Sequence, residues 1–148
     1  MVSVLAGAAL VAAGCQDDYS RLKTTRQVRF ISEEETWSLA LKTSLPIFPA
    51  ASLRAGTSGP AVATLLITSS GAVLSSKVLQ APDRASAEAF QNAVSGWQFQ
   101  QREMPEGKLD EGTVTLYFEI RNGSGAVLTA PEKVREMNPA VKTWQTRR

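Results

Sequence analysis

Histidine is missing from this chain altogether, and cysteine occurs once, at position 15. Those two counts exclude a good deal of chemistry. No histidine general base, Ser–His–Asp triad or Cys–His pair can be assembled within the chain. A zinc site of His and Cys ligands is excluded, and the lone Cys15 cannot close an intramolecular disulfide. Neither sign of charge is in large excess: 16 basic and 14 acidic residues leave a formal charge of +2. A nucleic-acid partner demands a clustered basic face, so none is expected. Glycine-rich phosphate loops and internal repeats are absent. No apolar run reaches the roughly 20 residues of a membrane-spanning helix. The sequence therefore predicts no catalytic residue, no metal and no cofactor.

What is present suits one modest globular domain with tails: 148 residues, 43% hydrophobic and 20% charged. The first fifteen residues, MVSVLAGAALVAAGC, carry only small and apolar side chains from Val2 to Gly14, apart from Ser3. That is the length of a signal-peptide apolar region. Its end, Val11-Ala12-Ala13-Gly14-Cys15, resembles the lipobox of bacterial lipoproteins. The resemblance implies that residues 1–14 are a signal peptide and that Cys15 is lipidated as the new first residue. Gln16 stands where an inner-membrane retention signal would be Asp, which implies the periplasmic face of the outer membrane. The periplasm or the inner membrane is the alternative. Residues 15–44 then read as a lipid-anchored tether, polar from Asp17 to Gln27, with one short strand at Val28-Arg29-Phe30. Ser32 followed by Glu35 has the form of a helix capping box, yet Trp37, Leu39 and Leu41 recur at the period of a strand. The expectation there is a strand or irregular segment with a helical turn at its start.

Residues 45–122 are the organised block. Pro46-Ile47-Phe48-Pro49 cannot lie inside a helix. Ala50–Ala55 predicts a short helix, entered at Pro49 and stopped by Gly56. Ala61–Thr68 reads as a strand apolar on both faces, hence covered on both sides or central. Ser69-Ser70-Gly71 turns the chain into a second strand, Ala72–Leu79, whose alternation slips at Ser75-Ser76-Lys77, the sign of a bulge. A helix capped by Asp83 or Ser86 follows, with Phe90, Ala93, Val94 and Trp97 on one stripe. Arg102–Gly112 reads as a polar loop. Thr113–Ile120 is the cleanest strand, with Val114, Leu116, Phe118 and Ile120 inward and Thr113, Thr115, Tyr117 and Glu119 outward. The fold class is α+β: a small antiparallel three-stranded sheet with one main helix packed across it, and a short helix after the Pro-x-x-Pro segment. The pairs Glu33-Glu34-Glu35, Glu103 with Glu106, and Asp110 with Glu111 lie in polar runs and read as solvated. Residues 123–148, with Lys133, Arg135, Lys142, Arg147 and Arg148, read as a mobile basic tail.

The order of elements in 45–122 resembles the C-terminal domain of TonB-type energy transducers. Pro46, Phe48 and Pro49 stand for that family's Tyr-Pro motif, with Phe in place of Tyr, and Trp97-Gln98-Phe99 for its Trp-x-Phe. The resemblance implies a non-enzymatic, protein-binding module in the cell envelope. Its family captures a short segment of an outer-membrane receptor on the last strand, which implies Thr113, Thr115, Tyr117 and Glu119 as the partner-binding edge strand. Such edges pair with extended peptides through the main chain. A transducer's transmembrane anchor and long proline-rich spacer have no counterpart in this sequence. The readings are thus an envelope lipoprotein that engages a partner by strand addition, with a role in TonB-type transport, or a structural, self-associating lipoprotein, a homodimer included, with no transport role.

Overall fold

The computed structural model describes residues 18–140. A helix, α1, covers residues 18–25. Then come β1 (Val28–Phe30), α2 (Glu33–Ser38), β2 (Ala40–Lys42), α3 (Ala50–Ala55), β3 (Gly59–Ile67) and β4 (Val73–Gln80). α4 (Arg84–Val94), β5 (Gln98–Phe99), β6 (Leu109–Arg121), β7 (Ser124–Thr129) and α5 (Ala130–Met137) complete the chain. The main sheet has five strands in the order β1-β6-β3-β4, with β7 also paired to β6. The contact of β1 with β6 is parallel and the others are antiparallel. A two-stranded ribbon, β2 with β5, stands beside it.

The expected α+β architecture is present, with the expected helix across the sheet. The count of strands is corrected from three to five. The two additions come from segments that sequence alone reads as tether and tail. Residues 18–42 fold into α1, β1, α2 and β2, and residues 124–137 form β7 and α5.

Local chemistry explains the elements. Asp83 caps α4, its carboxylate accepting from the Ser86 N–H at 2.8 Å and from the Ser52 hydroxyl at 2.7 Å. Burial works to raise the Asp83 pKa, but these hydrogen bonds outweigh it and hold the group below the usual carboxylate range. Ser32 caps α2, so the capping-box signal prevails for six residues before the period-two signal takes over as β2. Thr129 and Glu132 form a reciprocal capping box, with proline at the second helical residue, at the start of α5.

The principal core lies between the sheet and α4. Phe90, Val94, Trp97, Ala63, Leu65, Val114, Leu116 and Phe118 are buried there, and the Trp37 and Trp97 rings meet at 5.7 Å, tilted by 50°. Burying Phe90, Val94 and Trp97 contributes roughly 1.5–3 kcal/mol each before ordering entropy is counted. The opposite face carries a smaller cluster, where Leu66 and Leu109 meet Tyr19 and Leu22 of α1. β3 is therefore covered on both faces, as its double apolar pattern requires.

Candidate binding edges of the sheet

β6 is the strand that sequence reasoning assigns to partner capture, and the structure places it inside the sheet. One side of it pairs with β3 along its length, from Ile67↔Asp110 to Gly59↔Phe118. The other side is filled by three different pieces. β1 takes the first part, Val28↔Leu109 to Phe30↔Glu111. β7 takes the last, Leu116↔Thr129 to Arg121↔Ser124. Between them stands Glu33 at the start of α2. Its carboxylate accepts from the Thr115 N–H at 2.6 Å, the Thr115 hydroxyl at 3.0 Å and the Trp37 indole N–H at 2.9 Å. A side chain thus occupies the place of a strand. α2 fits so closely because Gly112 has no Cβ; one built there would lie 2.4 Å from the Thr36 hydroxyl.

The four predicted reader residues are brought together on one face, but that face has partners of its own. Thr115 is held by Glu33. Lys133 of α5 lies 5.8 Å from the centre of the Tyr117 ring. Glu119 pairs with Lys133 at 2.5 Å and with Arg121, and Arg121 reaches Glu136 at 2.6 Å. Burial works to raise the Glu119 pKa, but hydrogen bonds from Lys133 and Arg121 outweigh it and hold the group below the usual carboxylate range. The assignment of Thr113, Thr115, Tyr117 and Glu119 to a free edge is therefore corrected: strand β6 exists as expected, but its main chain is engaged on both sides.

Asp110 and Glu111 are corrected in the same way. They are 2% and 7% exposed, within β6 rather than in a loop. Arg29 holds Asp110 through two hydrogen bonds, at 2.9 and 3.2 Å, and Arg102 lies 3.3 Å away. Lys23 and the Tyr19 hydroxyl hold Glu111, at 3.0 and 2.5 Å. The hydrogen bond to Asp110 raises the Arg29 pKa, and burial raises that of Tyr19. No local pattern marks these two acids as buried, because Arg29, Lys23 and Tyr19 lie 81, 88 and 92 positions before the acids they hold. Glu103 and Glu106 are exposed, as expected.

Of the family-motif residues, Trp97, Phe99 and Phe48 serve the core. Trp97 is 1% and Phe99 2% exposed, and the Trp97 indole donates to the Ser44 carbonyl at 2.9 Å. Pro49 caps α3. Phe48 packs 6.1 Å from the Phe118 ring and directly over Gly125, whose Cβ, if built, would lie 2.3 Å from it. Cys15 and residues 1–14, which the sequence reads as a signal peptide, lie outside the described residues, as do residues 141–148.

In the main sheet three strands keep an unpaired side: β1, β4 and β7. β4 is interrupted twice. Its ladder to β3 skips Leu74 and Leu79, which are left as bulge residues 42% and 55% exposed. The expected bulge is thus real but sits on either side of Ser75-Ser76-Lys77. β7 is uninterrupted, with six successive pairs to β6. The turn between them has left-handed backbone at both Asn122 (φ 51°) and Gly123 (φ 79°), the geometry of a two-residue hairpin. Among the described residues no cluster of three or more metal-ligating side chains occurs, and no helix is long and apolar enough to cross a membrane.

The class these features define is an α+β module with one helix-backed mixed sheet and open strand edges. In comparisons with known proteins, the chain is similar to the solution structure of the Pseudomonas aeruginosa TonB C-terminal domain. The TM-score is 0.50 and the identity 23%, over 62% of this chain and 95% of that one. The chain thus has a TonB C-terminal-domain-like fold. No protein-family model matches it, and no curated protein matches it in sequence.

Proposed function

We propose that this chain is an envelope lipoprotein whose folded domain binds an extended segment of a partner protein by β-strand addition. The observation that carries the reading is a TonB C-terminal-domain-like sheet that keeps unpaired strand edges. Such edges offer rows of main-chain donors and acceptors to an incoming strand. The lipobox-like sequence ending at Cys15 supports attachment to a membrane through acyl chains, and Gln16 supports the outer membrane. Several acyl chains together make such attachment stable, where one alone binds marginally. A role in TonB-type transport is the use that the resemblance favours, with an outer-membrane receptor segment as the partner.

Two experiments test the parts separately. Radiolabelled palmitate should enter the full chain in a bacterial host and be lost in Cys15→Ser; an unlabelled wild type rules out the anchor. For the binding module, a photo-reactive side chain is placed in turn along β1, β4 and β7, and at exposed Glu103 and Glu106 as controls. Crosslinks to a partner protein should come from a strand edge. If they come from the control loop alone, strand addition is wrong.

A further inference from the structure

If the domain does bind by strand addition, its structure also says which edge is available and what it selects. We infer that the partner segment pairs with the outer edge of β7, and that it is an uncharged, extended segment with apolar side chains at alternate positions.

The three edges of the main sheet differ in how they are protected. Proteins protect exposed edges with bulges, with charge, or by keeping them short. β4 has bulges at Leu74 and Leu79 and places Lys77 between them. β1 is three residues long; Arg29 at its centre is tied to Asp110, and Lys23 lies 5.3 Å from the centre of the Phe30 ring. β7, Ser-Gly-Ala-Val-Leu-Thr, has none of these protections. It carries no charge and no proline, and its six pairs run without a bulge.

The main-chain groups of β7 favour the same edge. Bonded and non-bonded pairs alternate along an antiparallel ladder, and the pair that closes a two-residue hairpin is bonded. Arg121↔Ser124, Glu119↔Ala126 and Tyr117↔Leu128 are then the bonded pairs of the β6–β7 ladder. Gly125, Val127 and Thr129 point their N–H and C=O groups outward. The Thr129 N–H is taken by the Glu132 carboxylate at 3.4 Å. Among the described residues nothing accepts from the N–H of Gly125 or Val127. Two residues, spaced by one, are thus set to exchange about four hydrogen bonds with an incoming strand.

The side chains beside this edge give the ligand its chemistry. Gly125 and Val127 share the sheet face of Phe118 and Ile120, across from which they pair. Phe48 covers Gly125 on that face, and the next residue, Ile47, is 89% exposed. Ligand residues opposite Gly125 and Val127 project to the same side as Phe48, which is only partly buried. Charged residues there would lose water for no partner. A second copy of this chain is the weaker occupant. β7 against β7 would bury a single short strand contact, far below the ~1,200 Å² of a stable interface.

The test uses the full chain in detergent and a phage-displayed library of random twelve-residue peptides. Enriched peptides should carry apolar residues at every second position. With one such peptide bound, hydrogen exchange at the Gly125 and Val127 amides should slow at least tenfold. Val127→Pro removes an N–H that makes no bond within the sheet, and should weaken binding at least tenfold. Ile47→Asp, at a side chain already in water, should weaken it several-fold and leaves the fold intact. Slowed exchange along β4, with Val127→Pro binding normally, overturns the β7 assignment and leaves strand addition standing. A bound peptide that slows no strand amide overturns both. Enrichment of charged or non-alternating peptides, or of none, overturns the ligand class. Slowing at Gly125 and Val127 that rises with protein concentration alone makes a second copy the occupant and overturns the proposal.

Discussion

Glu33→Ala is the sharpest test of how the sheet is closed. The Glu33 carboxylate accepts three hydrogen bonds, from the Trp37 indole, the Thr115 N–H and the Thr115 hydroxyl. Trp37 is 1% exposed, and Thr115 lies in the gap between β1 and β7. In the alanine variant the Thr115 hydroxyl can turn to another acceptor. The indole N–H and the Thr115 N–H cannot, and each unsatisfied buried donor costs about 1–3 kcal/mol. The expected loss is therefore about 2–6 kcal/mol. Glu33→Gln keeps an oxygen for the two N–H groups and offers its amide to the Thr115 hydroxyl; its cost should stay near 1 kcal/mol, the share of the negative charge. Urea titration followed by tryptophan fluorescence measures both, since Trp37 and Trp97 meet in the core. Hydrogen exchange should show the Thr115 amide opening faster in Glu33→Ala than its neighbours in β6. If Glu33→Ala lies within about 0.5 kcal/mol of wild type, the carboxylate does not stand in for a strand and the account of this edge is wrong.

Other expectations follow from the same structure. Gly71 sits at φ +88°, and a Cβ there would lie 1.9 Å from the Phe99 carbonyl oxygen. Since backbone meets backbone, Gly71→Ala should cost more than about 3 kcal/mol, read as a large fall in melting temperature. Asp110 is buried while Arg29 and Arg102 are 42% and 25% exposed, so removing the acid strands no buried charge. Asp110→Asn should cost about 1–2 kcal/mol in urea titration and the double variant Arg29→Ala/Arg102→Ala about 3–5 kcal/mol, the reverse order being incompatible with this geometry. Glu119 has its folded-state pKa lowered by Lys133 and Arg121. Its contribution is present above the unfolded carboxylate range, near pH 4.3, and is lost as pH falls through the lowered value. Stability measured from about pH 6 to pH 2 should therefore fall less steeply in Glu119→Gln than in wild type, and identical slopes would remove Glu119 from the acid response.

The legible part of the fold was what neighbours in sequence decide. The β3–β4 hairpin, the α4 stripe of Phe90 and Val94, the alternation of β6 and the Pro49 start of α3 all follow from local period and cap chemistry, and all are found. Even the double burial of β3 could be read from its apolar faces. What sequence could not show was what lies beyond the edge of β6. Thr113, Thr115, Tyr117 and Glu119 carry the outward pattern of an edge strand, because alternation reports face and not side. Asp110 and Glu111 look solvated because the charges that hold them, Arg29 and Lys23, belong to a segment that reads as tether. Asn122-Gly123 was the one local signal for β7: it marks a two-residue hairpin. The Ser-Gly-Ala-Val-Leu-Thr run after it could have been taken as the returning strand.

The far side of β6 is written by both ends of the chain, and that has a consequence for the order of assembly. β7 joins β6 through two residues, so that closure is local and fast, on the microsecond scale of hairpins. β1 must find β6 across 81 positions, a loop whose closure entropy is recovered only when β3, β4 and α4 already hold β6 in place. The N-terminal third therefore docks last. Until then α1 and α2 are unplaced, Leu66 and Leu109 lie bare, and the first half of β6 is as open as β7 is in the finished fold. During synthesis the segment that completes the sheet is the first to emerge and the last to find its seat, so the vulnerable interval is the whole time the rest of the chain takes to fold.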